Sequence, residues 1–454
     1  MRTAIVLFTR DLRVHDHPAL HAACRDADRV VPLFVLDGAI LDSRYAAPNR
    51  VAALLEALRD LRSSLIARGG GLVVRSGDLV EQVRMVATEV AADDLHLTAD
   101  FSRHARRRER ALEALGAELG VRVTAHPGVA VVEPGAIEPS GGDHFRVFSP
   151  YWRRWSVHPR RALVPAPERV PTPTSIPTGT IPSWTDLVDG QEAPDRLRTG
   201  GSVARERAAW WFEDPVQGYE EGRDELGHDR TSKLSPHLHL GCLSPNEVAA
   251  RSDEHRSGRE AFLRQLCWRD FNLQLLAANP DLPDEDLRSQ GDRWRDDEDD
   301  LDAWREGRTG YPVVDAGMRQ LQREGWMHNR ARMLTASFLT KHLHIDWRAG
   351  AWHFMDHLVD GDLANNFAQW QWVAGTGTDS RPNRVLNPVT QSRRHDPTGR
   401  YIRRYVPELA GLDDRLVHAP WEGDDQLFSS ADYPPPVVDH AEARDRFLAA
   451  RGRS

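Results

Sequence analysis

The sequence predicts an α/β N-terminal domain with a doubly wound parallel sheet, joined by a long proline-rich connector to an all-α C-terminal domain. Three observations predict it. Short β-rich runs alternate with helical periods over the first 130 residues, and proline crowds the stretch that follows. Residues 1–151 hold no tryptophan, whereas eleven of the fourteen lie beyond residue 200. The expected boundaries are 1–130 for the α/β domain, 131–200 for the connector and 201–454 for the helical domain.

Taken in order, AIVLFT (4–9), VVPLFVLD (30–37), LVVRSGD (72–78), DLHLTAD (94–100) and VRVTAHP (121–127) read as buried parallel strands. Between the second and third, Val51, Leu54, Leu55, Leu58, Leu61, Leu65 and Ile66 recur at helical spacing. Asn49 is placed to cap that helix and Gly69 to end it. No GxGxxG opens a helix, and neither lysine, Lys233 or Lys341, follows a phosphate-loop pattern, so the fold alone does not license a dinucleotide reading. The carboxyl ends of the strands bring Arg10, Asp37, Asp78 and Asp100 toward one edge, as a ligand site or as ordinary loop chemistry.

From His158 to Trp184 the prolines exclude helix and central strand. Beyond the connector, EAFLRQLCWRDFNLQLLAAN and GMRQLQREGWMHNRARMLTASFLTKHL show helical periods. The acidic run Asp296–Asp300 reads as a solvated loop or helix face, and RHARRRER (103–110) as a solvated helix face.

A net charge of −9 argues against a protein that coats polyanions all over, without excluding a local basic groove. Arginine carries nearly all the positive charge, which a coding bias explains for the chain as a whole. No run of about 18 apolar residues exists, and the first residues lack a leader pattern, so no membrane span is expected and the cytoplasm is the expected compartment. Cys24, Cys242 and Cys267 are too scattered for a disulfide framework or a cysteine zinc site, and no metal is expected.

The stretch DGDLANNFAQWQW (360–372) carries the densest chemistry. Asp360 and Asp362 suit either magnesium or the hydrogens of an organic cofactor, or a buried arginine. Asn365 and Asn366 suit a heteroaromatic ring, because an amide both donates and accepts. Packing is the ordinary role for Trp370, Trp372, Trp294 and Trp347. TSKLSP offers hydroxyls and free amides to a phosphate, particularly if a helix starts at Ser235 or Pro236, though it also reads as a capped loop. LRQLCWRDF sets Gln265, Trp268 and Arg269 on neighbouring turns, and GWMHNRARM sets Asn329 and Met333 one turn apart. His, Asn and two Arg within five residues need something polar to satisfy them.

Together TSKLSP, LCWRDF, GRTGYPVVDAGMRQL, GWMHNRARM, DGDLANN, WQWVAGTGTD and NPVTQ resemble the flavin domain of the photolyase and cryptochrome family. Order and spacing agree over residues 210–410, and the α/β domain resembles the family's antenna domain. The resemblance implies flavin adenine dinucleotide (FAD), with Tyr219, Thr231, Ser232, Lys233, Leu234 and Ser235 at its phosphates and ribityl chain. Arg269, Arg332, Asp360, Gly361 and Asp362 would bind its ring and sugar portions, and Asn366 would stand beside flavin N5. Trp370, Trp347 and Trp294 match the family's electron-passing indoles, and Trp268 and Trp372 the aromatic walls of its substrate pocket.

Asn329 and Met333 resemble the pair of cyclobutane-dimer photolyases, and the histidines of the (6-4) branch are not there. The implied activity is light-driven repair of cyclobutane pyrimidine dimers in double-stranded DNA by a carbon-carbon lyase. The rivals are a cryptochrome-type blue-light receptor and, behind it, a (6-4) photolyase. Gln265 departs from the glutamate of many bacterial relatives, and NNFAQWQW from a double glycine seen in some. Arg330, Arg384, Arg393, Arg394 and Gln391 are the expected DNA contacts. FVLDGAIL followed by AAPNRV is similar to members with an 8-hydroxy-5-deazaflavin antenna rather than methenyltetrahydrofolate, with Arg10, Asp37 and Asp100 as its candidate residues. A monomer is expected.

Overall fold

The computed structural model describes residues 1–252, 258–423 and 432–452. Five parallel strands, β1 (Thr3–Phe8), β2 (Arg29–Asp37), β3 (Val73–Gly77), β4 (Asp94–Thr98) and β5 (Arg122–His126), form a sheet in the order β3-β2-β1-β4-β5. The chain therefore starts at the centre of the sheet and winds out both ways, as the five apolar runs predict. Ile5 pairs with Val31 on one side and Leu95 on the other, and all six residues of β1 are buried. Helices α1 (Pro18–Asp26), α2 (Gly38–Leu41), α3 (Pro48–Ile66), α4 (Leu79–Val90) and α5 (Arg103–Leu119) accompany the strands.

The two faces of the sheet have different neighbours. Ile5, Leu7, Val31 and Leu33 pack with residues of α4 and α5 in a small core of their own. Ala4, Val6 and Phe8 pack on the α1 and α3 side, in a core that continues without a break into the helical half. One face thus closes the domain and the other docks it.

Asn49 does not cap α3. The cap position is Ala47, and Pro48 starts the helix, where its missing N–H costs nothing. Asn49 points inward instead, donating to the His357 carbonyl and accepting from the Ala193 N–H (2.8 Å), so it ties the α/β domain to the connector and to the helical half. Gly69, at φ +73°, makes the turn that follows the helix.

The connector carries one α-helix, α6 (Phe148–Trp155), and a 3-10 turn, Trp184–Asp186. Its proline-rich part, without helix or strand from 156 to 183, lies back on the α/β domain through bonds such as Val74 N–H to the Thr178 carbonyl (2.8 Å). The helical half begins with α7 (Gly201–Glu213), α8 (Tyr219–Gly222), α9 (Ser235–His239), α10 (Pro245–Ser252) and α11 (Arg259–Ala278). It continues with α12 (Glu298–Arg305), α13 (Pro312–Glu324) and α14 (Asn329–Ser337), which runs into a π-helical turn, Phe338–Leu343. It ends with α15 (Trp347–His357), α16 (Leu363–Ala374), α17 (Pro388–His395), α18 (Arg400–Tyr405) and α19 (His440–Ala450). The acidic run starts α12: Asp297 caps it, and Glu298, Asp299 and Asp300 fill its first turn, where the helix dipole favours them. No helix of the described residues is long and apolar enough to cross a membrane, and the three cysteines are free.

Asn49→Ala should leave two buried backbone groups unpaired and lower the unfolding free energy by about 2 kcal/mol in chemical denaturation. An unchanged midpoint would show that the tie between the parts does not depend on it.

Candidate functional site

A cavity of about 440 Å³ opens between α11, α14, α16 and the loop before α9. Its four walls come from four different stretches of the chain, and each owes its shape to a local device.

Helix α11 presents Gln265, Trp268 and Arg269 to the cavity on successive turns. Asp270 and Gln274 grip the connector elsewhere on the same helix. Asp270 accepts the Val131 and Val132 N–H groups and the Trp155 indole N–H (2.9–3.0 Å), and Gln274 bonds both backbone groups of Phe145. Burial lifts the Asp270 carboxyl to about 6 despite the nearby Arg269 guanidinium. This grip sets Phe148 of α6 flat against Trp268, with ring centres 3.8 Å apart and planes 2° from parallel. Phe148 is a site residue that sequence reasoning missed, because it lies in the connector.

The loop wall holds Thr231, Ser232, Lys233, Leu234 and Ser235, with Tyr219 beside it. Lys233 adopts φ +51° and bonds Asp229 (2.6 Å), with its ammonium 4.7 Å from the centre of the Trp326 ring, another cavity residue. Arg207 donates to the Ser232 carbonyl (2.8 Å), which pins the loop from behind. A short helix does start at Ser235.

From α14 come Asn329, Arg332 and Met333. His328 caps the helix by accepting the Arg330 N–H at Nδ1 (3.1 Å), and burial pushes the imidazole down to about 4, so it stays neutral and able to accept. Arg332 donates twice to Asp360 (2.9 and 3.1 Å) and once to the Met327 carbonyl (2.8 Å). Arg330, expected among the DNA contacts, pairs with Asp224 at 2.7 Å. Protein carboxylates thus pair both arginines of this helix.

Asp362 caps α16 by accepting the Asn365 N–H (2.8 Å). It also receives Arg10 from the end of β1 at 2.5 Å, with His239 at 3.8 Å. Burial opposes the charged form of Asp362, but the Arg10 charge, with the His239 ring nearby, outweighs it and holds the carboxyl well below its usual range. The other end of Arg10 meets Asp100 (3.4 Å). Arg10 and Asp100, expected as antenna residues, also lie at the seam between the halves, where Arg10 reaches a carboxylate 352 residues away. Asp37 instead caps α2 through the Ala39 N–H (3.0 Å) and faces His104.

Asn366 lines the cavity and donates to the Ala351 carbonyl (2.9 Å). Trp370 lies beside it, almost fully buried, with its ring against α15 at Gly350, where a methyl group would overlap it. Trp347 starts α15 one turn earlier, fully buried, with its indole N–H on Asp286 (2.9 Å). Trp294 is partly exposed and meets His344 edge-on. Burial therefore falls from Trp370 and Trp347 to Trp294. Trp304, not singled out by sequence, packs edge-on to Trp370 at 6.0 Å. Trp372 lines the cavity beneath the Arg384 guanidinium, 5.6 Å from its ring centre. Gln391 lies on α17, half-buried. Arg393 pairs with Glu422, and Arg394 is exposed.

Hydroxyls and a lysine at one wall, paired carboxylates and arginines at another and amides beside an indole fit an elongated ligand with phosphates, sugar hydroxyls and a flat heteroaromatic ring. FAD has those parts. Among the described residues no cluster of His, Cys, Asp or Glu could hold a metal ion.

A doubly wound domain docked on a helical domain with such a chamber defines a two-lobed flavoprotein. The chain belongs to the DNA photolyase family: the family's model for DNA photolyase matches residues 4–173, and that for the FAD binding domain of DNA photolyase matches 262–453. It is 50% identical over 455 residues to a deoxyribodipyrimidine photo-lyase of Streptomyces griseus, covering all of both chains. The crystal structure of a bacterial class III photolyase from Agrobacterium tumefaciens superposes with a TM-score of 0.93 at 35% identity, covering 100% of this chain and 97% of that one. A cryptochrome from Synechocystis sp. PCC6803 superposes with a TM-score of 0.90 at 29% identity, covering 100% and 99%.

Asp362→Asn should strand Arg10 in the seam and cost roughly 3 kcal/mol, with less flavin retained per protein by absorbance. The depressed Asp362 carboxyl stabilises the fold fully above its unfolded value of about 4, and that stability fades as pH falls through the lower folded value. The variant should therefore lose less stability than the parent between pH 4 and 2. Equal acid limbs would refute this assignment.

Proposed function

We propose that this chain repairs cyclobutane pyrimidine dimers in double-stranded DNA with blue light, acting as a deoxyribodipyrimidine photo-lyase. The observation that carries the reading is that Trp268, Trp372, Gln265, Asn329 and Met333 share one cavity with Asn366, Trp370 and the phosphate-type loop, so lesion and cofactor would meet in one chamber.

FAD, when bound and reduced, supplies the light absorption and the electron. Thr231, Ser232, Lys233 and Ser235 hold its phosphates, with Tyr219 and Leu234 alongside. Arg269, the Arg332–Asp360 pair, Gly361 and Asp362 orient its ring and sugars. Asn366 can donate to flavin N5 or accept from it, according to the protonation of that atom. A dimer is nonplanar and poorly stacked, so flipping it out of the duplex costs less than flipping a sound base. Trp268 and Trp372 receive it by stacking, and Gln265 and Asn329 offer hydrogen bonds to its carbonyls. Gln265 donates but supplies no proton. Arg384, Arg394 and Gln391 meet the DNA backbone, giving salt-dependent and sequence-indifferent affinity. Trp370, Trp347 and Trp294 pass an electron inward from the surface.

The supporting relative, half identical over full length, carries the photo-lyase name, whereas the cryptochrome shares the fold at lower identity. Domains at 1–130 and 201–454 with a connector between, an 8-hydroxy-5-deazaflavin antenna, a cytoplasmic setting and a monomer complete the proposal.

The test is anaerobic: reduce the flavin with light and a thiol, add a duplex with one thymine dimer, and compare blue light with darkness. Light-dependent return of intact thymines is expected. Clean photoreduction without repair would make the protein a photoreceptor. Trp370→Phe should abolish photoreduction yet leave repair by chemically reduced protein intact, and Gln265→Glu should raise the repair yield; parental photoreduction in Trp370→Phe would remove that indole from the route.

A further inference from the structure

Lys341 is one of only two lysines in the chain, and it is 2% exposed. It sits in the π-helical turn that extends α14, and such turns often mark functional positions. Its partners are unusual for a buried ammonium. Nζ donates to two backbone carbonyls, Arg384 (2.8 Å) and Pro382 (3.0 Å), and faces the Phe447 ring of α19 at 5.6 Å. Burial pushes its pKa down to about 7.

Both carbonyls belong to the segment 375–387 that follows α16, and two more cations bond this segment from the inside. Arg451, just past α19, donates to the carbonyls of Ala374 (2.9 Å) and Pro382 (3.4 Å) and to the Asn383 amide oxygen, while Asp292 holds its other edge (2.6 Å). Arg288 bonds the carbonyls of Thr376 through its N–H and Asp379 through its side chain (2.7 and 2.8 Å). The segment folds tightly back on α16 at Gly375, φ +85°, where a Cβ would strike the Pro382 carbonyl. Its outer face carries Arg384, over Trp372.

We propose that Lys341, with Arg451, is a positioning residue for the lesion: the two clamp segment 375–387 from beneath so that Arg384 stays over Trp372, which makes the C-terminal helix part of dimer recognition. The inference rests on the reading of the cavity as the dimer pocket. A cation that merely filled a hole would not converge on the backbone of the segment that brings Arg384 over Trp372.

The test uses the full-length flavoprotein with Lys341→Met, which keeps length and removes the donors, and Arg451→Lys as a milder second variant. The probe is a duplex with one thymine dimer, against the undamaged duplex. Lys341→Met should weaken dimer affinity about tenfold, with unchanged flavin photoreduction, which runs through Trp370. Arg384→Ala should lose a similar factor, and the double variant little more than either alone, because Lys341 acts through Arg384. Hydrogen exchange should quicken in 375–387. Parental dimer affinity in Lys341→Met, or losses that multiply in the double variant, would overturn the clamp. If the parent shows no preference for the dimer, the repair reading fails, and exchange still decides the clamp: parental rates over 375–387 in both variants sink it, faster rates confined there uphold it.

Discussion

The buried carboxylate of Asp362 is the point on which the molecule turns. It starts α16, the helix that carries Asn366, Trp370 and Trp372, and it is the anchor for Arg10 from the first strand. A lone buried carboxylate would take up a proton. With Arg10 on it, the charge persists, the helix start is fixed, and a wall of the cavity is locked to the centre of the sheet. The α/β domain is therefore a structural part of the site, whatever else binds to it.

Helix α11 shows the same economy at shorter range. Three residues of one stretch, Gln265, Trp268 and Arg269, belong to the cavity, while Asp270 and Gln274 hold the connector. The connector returns the favour by setting Phe148 behind Trp268. Rotation of that helix would disturb the substrate wall and the domain linkage together, so a single rigid element keeps both in register.

Legibility followed the range of the interaction. Parallel strands buried on both faces need uninterrupted apolar runs, and all five strands were readable to within a residue or two. The edge strand β5, expected to be buried, has no buried residue, because it has a neighbour on one side only. Helical spacing placed Gln265 with Trp268, and Asn329 with Met333, on common faces that the cavity does bring together. Asn49 misled because a cap-type residue after a proline looks local, while its partners, His357 and Ala193, lie far along the chain. Arg10 likewise has a partner, Asp362, that no local pattern could show. The FAD and indole assignments came from resemblance, since spacing alone favoured packing for each tryptophan. Phe148 carried no signal beyond an aromatic residue in the connector, whereas Lys341 did carry one: a near absence of lysine makes each remaining one conspicuous.

The Arg10–Asp362 contact also imposes an order in time. Everything in the sheet, through His126, leaves the ribosome long before Asp362 is made, and N-terminal domains generally fold as units during synthesis. A finished sheet thus waits with Arg10 matched only to Asp100, at 3.4 Å, until the last quarter of the chain emerges. Long-range closures of this kind are slow. The cofactor chamber then cannot close until α16 has emerged, and a nascent chain cut off before α16 would hold a folded domain but no place for a flavin.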